Sequence, residues 1–115
     1  MPKVSVIIPC FNEQSTIRLL LEALREQTFP RAEMEVILSD GMSTDGTRDA
    51  IAAFQKDFPD LEVRVVDNTL RNIPSGVNRA IEASRGEIIL RLDAHSKPYP
   101  DYVANSVKAH EEGRG

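Results

Sequence analysis

The sequence predicts an α/β protein built on a parallel sheet, and three observations carry that reading. Short runs rich in valine, isoleucine and leucine, namely Val4-Ser5-Val6-Ile7-Ile8, Val36-Ile37-Leu38 and Ile88-Ile89-Leu90-Arg91-Leu92, each break off at a polar loop. Near-continuous apolar runs of that length fit strands buried on both faces. A helical spacing of apolar residues follows each loop. The resulting order β-α-β-α-β-α-β-α is that of parallel strands joined by right-handed crossovers.

The first strand covers about residues 3–8. A helix over about residues 13–27 follows, with Ile17, Leu20, Leu21 and Leu24 on one face. Pro30 ends it, because a residue before proline avoids the helical region. The second strand is expected at residues 35–39. Ser43, Thr44 and Asp45 supply helix-start chemistry for a second helix with Ala50, Ile51, Phe54 and Phe58 inward. A third strand at residues 62–66 leads through a loop to a third helix, which Pro74 can start. Val77, Ala80, Ile81 and Ser84 are its expected buried face. Arg85-Gly86 turns the chain into a fourth strand at residues 87–92, and a last helix turns Val103 and Val107 inward.

At 115 residues the chain is one domain or part of one. Its net charge is −4, with lysine and arginine scattered, which argues against a nucleic-acid surface. The single cysteine, Cys10, cannot form an internal disulfide, so a reducing, cytoplasmic setting is expected. No apolar run approaches the roughly 20 residues that span a bilayer. The chain ends without a closing strand. That leaves strand four as an unpaired edge, through which the chain is expected either to self-associate or to be covered by a displaced C-terminal helix.

In an open α/β sheet, ligands bind at the carboxyl ends of the strands. Strand one ends in Pro9-Cys10-Phe11-Asn12-Glu13, strand two in Ser39-Asp40-Gly41 and strand four in Asp93-Ala94-His95-Ser96. If strand four lies beside strand one, the first and last of these loops flank one crevice. The first loop has no glycine, so it cannot cradle phosphates with backbone N–H groups as a dinucleotide fingerprint does. A nucleotide there needs another source of positive charge, and a divalent cation is the natural one. Asp93 and His95 either hold that cation, a carboxylate–imidazole pair suiting Mn²⁺, or cap the turn and bond the backbone. Asp40 can accept an N–H from a base. Phe11 either packs in the core or stacks a base. Asn12 can cap the first helix, and Glu13 suits its first turn. Arg71 and Arg79 are candidate phosphate contacts. Cys10 with His95 could form a thiol–imidazole pair, but no third residue orients the ring.

Three stretches, residues 4–13, residues 39–47 and residues 78–93, closely resemble the family 2 glycosyltransferases. The wording of residues 40–47 with Asp93-Ala94-His95-Ser96 is most similar to the branch that builds exopolysaccharides such as succinoglycan. The resemblance implies a GT-A nucleotide-sugar-binding fold, with residues 1–115 as the N-terminal part of a family 2 domain. It implies transfer of a sugar from a nucleotide donor, expected to be UDP-linked, to a glycan or lipid-linked acceptor, at the inner face of a membrane in the full-length protein. Pro9, Phe11, Asn12, Glu13, Asp40, Arg71, Asn78 and Asp93 are the nucleotide-binding residues it implies, with Asp93 and His95 on Mn²⁺ or Mg²⁺. The family commonly has a second carboxylate where this chain has His95. Its catalytic base lies downstream of the metal triplet and is expected beyond Gly115, so the chain by itself is expected to bind donor without transferring sugar.

Overall fold

The computed structural model describes residues 2–113. Four strands, β1 (Val4–Cys10), β2 (Met34–Asp40), β3 (Glu62–Asp67) and β4 (Ile88–Arg91), form one sheet in the order β3-β2-β1-β4, with every pair parallel. Helices α1 (Ile17–Arg25), α2 (Thr47–Asp57), α3 (Ile73–Ala83) and α4 (Tyr102–Glu111) connect or follow the strands. The chain winds outward from β1 in both directions. The switch point between β1 and β4 lies where the loop sequences place it.

Successive residues of a strand face opposite sides, and the two sides are covered differently. Val4, Val6, Ile8, Val36 and Leu38 face a large core filled by Ile17, Leu20, Leu21 and Leu24 of α1, Ile51 and Phe54 of α2, and Val103 and Val107 of α4. Ile7 and Ile37 face a smaller core closed by Ala80, with Val77 and Ala83 packed against it. The central strands β1 and β2 are buried on both faces as the apolar runs require. The flanking strands β3 and β4 are only partly covered.

The amino ends of the strands are locked by a buried carboxylate. Glu35 is fully buried and accepts Ser5 Oγ at 2.6 Å, the Arg85 amide at 2.7 Å and Arg64 Nη2 at 2.7 Å. Burial pushes its pKa up, but the bonds from Ser5, Arg85 and Arg64 outweigh that and hold it below the ordinary 4.5. Gly86 makes the neighbouring close approach possible. A Cβ there would sit 2.6 Å from the Ser5 amide nitrogen and 2.8 Å from the Val4 carbonyl carbon.

Three expectations are corrected. Helix α1 begins at Ile17, not near Glu13, because Asn12 takes a left-handed φ of 51° and residues 14–16 form a turn. Asn12 does not cap α1. Its Oδ1 accepts the Thr44 amide at 2.8 Å and the Asp45 amide at 3.3 Å, tying the β1–α1 loop to the β2–α2 loop. Ile81 is 41% exposed, since α3 packs mainly over β1, β2 and β3. Ile89 on β4 is left half uncovered beside it, at 41%. The outer edge of β4 has no strand partner among the described residues.

Candidate functional site

An open cleft lies at the carboxyl ends of the strands. Pro9, Phe11 and Glu13 enter it from β1 and its loop, Ser39 and Gly41 from β2, Asn68 and Arg71 from the loop after β3, and Arg91, Asp93 and His95 from β4 and its loop. Five of the residues expected at a nucleotide, Pro9, Phe11, Glu13, Arg71 and Asp93, are therefore brought together with His95, expected at the metal. Asn12, Asp40 and Asn78 are not among its lining residues. Asn78 is exposed, and Arg79 bonds the Asp67 carbonyl at 3.2 Å.

The loops that build the cleft carry unusual backbone. Asn12, Met42 and Arg71, at φ of 51°, 65° and 62°, are the positive-φ residues other than glycine among the described residues. One lies in each loop after β1, β2 and β3. Asparagine tolerates this region, whereas methionine and arginine are held in it at a cost. Such concentration of strain is characteristic of ligand-binding loops.

Asp40 anchors the middle loop from behind the cleft wall. Its side chain is fully buried. Oδ2 accepts Arg48 Nε at 2.7 Å and the Ser43 amide at 3.1 Å, while Oδ1 accepts Ser43 Oγ at 2.5 Å. Burial raises its pKa, and the bonds from Ser43 and Arg48 overcome this to hold it below the ordinary 3.8. Arg48 continues to Asp67 at the end of β3, so one guanidinium bridges β2 and β3. Gly41, next along, packs against the Phe11 ring: a Cβ there would meet its Cδ1 at 3.5 Å. Phe11 is 48% exposed, placing a flat apolar face at the cleft mouth instead of in the core. The N-cap of α2 is Gly46, not one of Ser43, Thr44 and Asp45 as expected; Asp45 lies one residue before it and accepts the Thr47 amide at 2.9 Å.

At the β4 side, Asp93 and His95 are both exposed, and His95 Nδ1 lies 3.9 Å from Glu13 Oε1. Among the described residues no three His, Cys, Asp or Glu side chains form a ready-made metal cage. A carboxylate and an imidazole at the rim of a cleft fit a cation that keeps waters and takes its remaining ligands from a substrate diphosphate. Cys10 is not the nucleophile of a thiol–imidazole pair. It is buried, and burial with the nearby Asp40 carboxylate pushes its thiol up to about 12.

Sequence reasoning missed Ser39, Asn68, Asn72, Ile73 and Arg91 as lining residues. Asn68 directly follows β3, so the rule that points to strand ends also points to it.

The family model of glycosyl transferase family 2 matches residues 5–115. The chain is 40% identical over 98 residues to the succinoglycan biosynthesis protein ExoA of Rhizobium meliloti, covering 84% of this chain and 28% of that protein. The fold superposes on the mannosyltransferase PcManGT of Pyrobaculum calidifontis, solved with GDP-Man and Mn²⁺, with a TM-score of 0.88 and 38% identity over 93% of this chain and 32% of that one. It matches TarS of S. aureus in complex with UDP with a TM-score of 0.82 and 26% identity, covering 96% of this chain and 32% of that one. The chain spans about a third of the length of the relatives it matches. No helix among the described residues is long and apolar enough to cross a membrane. With the β3-β2-β1-β4 sheet and the residues assembled at its carboxyl end, these matches establish that the chain belongs to glycosyl transferase family 2.

Proposed function

We propose that this chain is the N-terminal, donor-binding part of a nucleotide-sugar-dependent glycosyltransferase, and that its cleft holds a nucleoside diphosphate sugar, UDP-linked, together with a divalent cation. The carrying observation is the convergence of Phe11, Arg71, Asp93 and His95 in one cleft at the switch point. Phe11 offers its exposed face to the base. Arg71, held at positive φ, reaches the cleft with a guanidinium suited to phosphate. Asp93 and His95 would hold the cation, Mn²⁺ or Mg²⁺, which when bound would stabilise negative charge on the departing diphosphate. Glu13 faces His95 and keeps that rim electronegative. Asp40 keeps the β2 loop in place; to reach the base as well, it would have to give up a bond to Ser43 or Arg48.

In the longer protein the acceptor is a glycan or a lipid-linked sugar, the likeness to a succinoglycan biosynthesis protein supporting a role in polysaccharide synthesis, and the chain's own residues bind and orient the donor. The open edge of β4 and the half-covered Ile89 support pairing with another strand, from a second copy or from further sequence of the same protein. Sedimentation of the purified chain distinguishes monomer from dimer. A GDP-linked donor is a second reading, favoured by the likeness to PcManGT. Calorimetric titration of UDP and GDP in Mn²⁺ separates them. Tighter binding of UDP supports the first reading, tighter binding of GDP the second, and binding of neither overturns the donor-site assignment.

A further inference from the structure

The loop that carries Asp93 and His95 runs from residue 92 to residue 101 without strand or helix. At its start the Leu92 amide donates to the Ile7 carbonyl at 3.0 Å, continuing β4. The Ser96 amide then returns to the Asp93 carbonyl at 3.0 Å. Asp93 and His95 are exposed on either side of Ala94, which is buried in the large core together with Val103 of α4. The far end of the loop is held by Gln27, a side chain outside the cleft lining.

Gln27 lies just past α1 and is 5% exposed. A carboxamide at that depth has to find its partners inside the protein. Its Nε2 donates to the Tyr99 carbonyl at 2.8 Å and to the Ala23 carbonyl at 3.2 Å, and its Oε1 accepts the Val103 amide at 3.0 Å. Val103 stands in the first turn of α4, where amides lack partners within the helix. Asp101, the N-cap, makes no side-chain cap bond, so Gln27 caps α4 from the end of α1. The Thr28 amide adds a bond to the Pro100 carbonyl at 2.8 Å. Pro98 and Pro100 fix φ on both sides of Tyr99 and stiffen the span between this clamp and His95.

We propose that Gln27 is a positioning residue for the cation loop: it fixes the start of α4 and the Tyr99 carbonyl, and through them the placement of Asp93 and His95. It touches neither cation nor nucleotide. The inference rests on the cation reading of Asp93 and His95 and extends it to a buried residue on another element.

The three side-chain bonds need an amide. Glu at this position keeps the size and the acceptor for Val103 but turns an acceptor toward the Tyr99 and Ala23 carbonyls. Met keeps the bulk and offers no strong donor or acceptor. Calorimetry gives the UDP affinity of wild type, Gln27→Glu and Gln27→Met in Mn²⁺ and in EDTA, at a temperature where thermal melts show each protein folded. The quantity read is the ratio of the two affinities. It should fall about tenfold in both variants, the scale on which the supports of metal ligands act, with the affinity in EDTA unchanged. Ile37→Val, a loosening of the smaller core, should leave the ratio as in wild type.

Hydrogen exchange on the wild type needs no substitution and decides the matter even where the variants fail to fold. If opening the clamp costs the loop its ligands, UDP with Mg²⁺ at a hundred times Kd slows the Val103 and Thr28 amides about 100-fold. The Phe58 amide at the end of α2 should not respond. An unchanged ratio in the folded variants, an equal fall in Ile37→Val, or Val103 and Thr28 exchange that UDP with Mg²⁺ does not slow would overturn the proposal. A wild-type chain that binds no UDP, or binds it equally in Mn²⁺ and EDTA, would remove the cation reading and this inference together. A high ratio in wild type that both variants retain would remove the inference alone.

Discussion

Replacing Asp40 with Asn tests how much the cleft depends on the anchor behind it. The carboxylate receives three strong bonds, from Arg48 Nε, the Ser43 amide and Ser43 Oγ, and a weak one from the Cys10 thiol at 3.8 Å. An amide keeps the shape but presents one oxygen. Its best orientation sets that oxygen where Oδ2 lay, facing Arg48 and the Ser43 amide, and turns the NH₂ to Ser43 Oγ, which can rotate to accept. The hydrogen-bond count survives, and the loss is the charge. A charge-assisted bond contributes roughly 1.5–3 kcal/mol against about 0.5–1.5 for a neutral one, so the difference is about 1–2 kcal/mol. The lower end is favoured because Arg48 is 43% exposed and also pairs with Asp67, so solvent and a second carboxylate share its charge. In a chain of this size that is a fall in Tm of about 4–8 °C.

The pH dependence has a definite sign. The folded-state pKa of Asp40 is depressed, so its contribution is present above the ordinary 3.8 and is lost as pH falls through the folded value. Differential scanning calorimetry of both proteins from neutral pH downward should show the largest Tm gap near neutrality and a narrowing gap below about pH 4. Equal Tm values at neutral pH, or a gap that does not change on acidification, would refute the assignment of Asp40 as a charged anchor.

Phe11→Ala should weaken UDP binding by about 1–3 kcal/mol if the ring stacks a base. It should cost little stability because the side chain is half exposed, and calorimetry with a parallel thermal melt checks both. Glu35→Ala leaves Arg64, Arg85 and Ser5 without their shared acceptor and should destabilise by about 3–5 kcal/mol, read from urea unfolding. The same carboxylate is held below its ordinary value, so its contribution too disappears on acidification. His95→Ala should weaken Mn²⁺-dependent UDP binding, whereas His95→Asp should retain or raise it. Unchanged binding in both would leave His95 with no part in the cation site.

The sheet order and the ends of its strands were legible because buried parallel strands leave continuous apolar runs, and β1 and β2 are of that kind. The place of Phe11, Asp93 and His95 in the cleft lining was legible because they lie just past the ends of β1 and β4. Glu35 was not recognised as buried, since its partners Ser5, Arg64 and Arg85 come from three separate elements and no local pattern joins them. Arg48 was hidden for a related reason: it lies eight residues after Asp40, on a helix face that the apolar period assigns to solvent. Asn12 shows how one side chain can redirect a helix start. Its amide serves the β2–α2 loop, and α1 begins only at Ile17. Ile81 obeyed the helical period, but α3 packs mainly over β1, β2 and β3 and leaves it half exposed.

The central claim is that phosphate and cation meet at the β4 end of the cleft, and paramagnetic broadening by Mn²⁺ in an amide NMR spectrum tests it most directly. With UDP present, sub-stoichiometric Mn²⁺ should erase the amide signals of Ala94, His95 and Glu13 first and spare Glu35 and Arg85 at the opposite end of the sheet. Without UDP the same broadening should need far more metal, because in the proposed site the diphosphate would complete the ligands that Asp93 and His95 begin. Broadening centred away from Asp93 and His95, or broadening there that UDP does not enhance, would contradict the account.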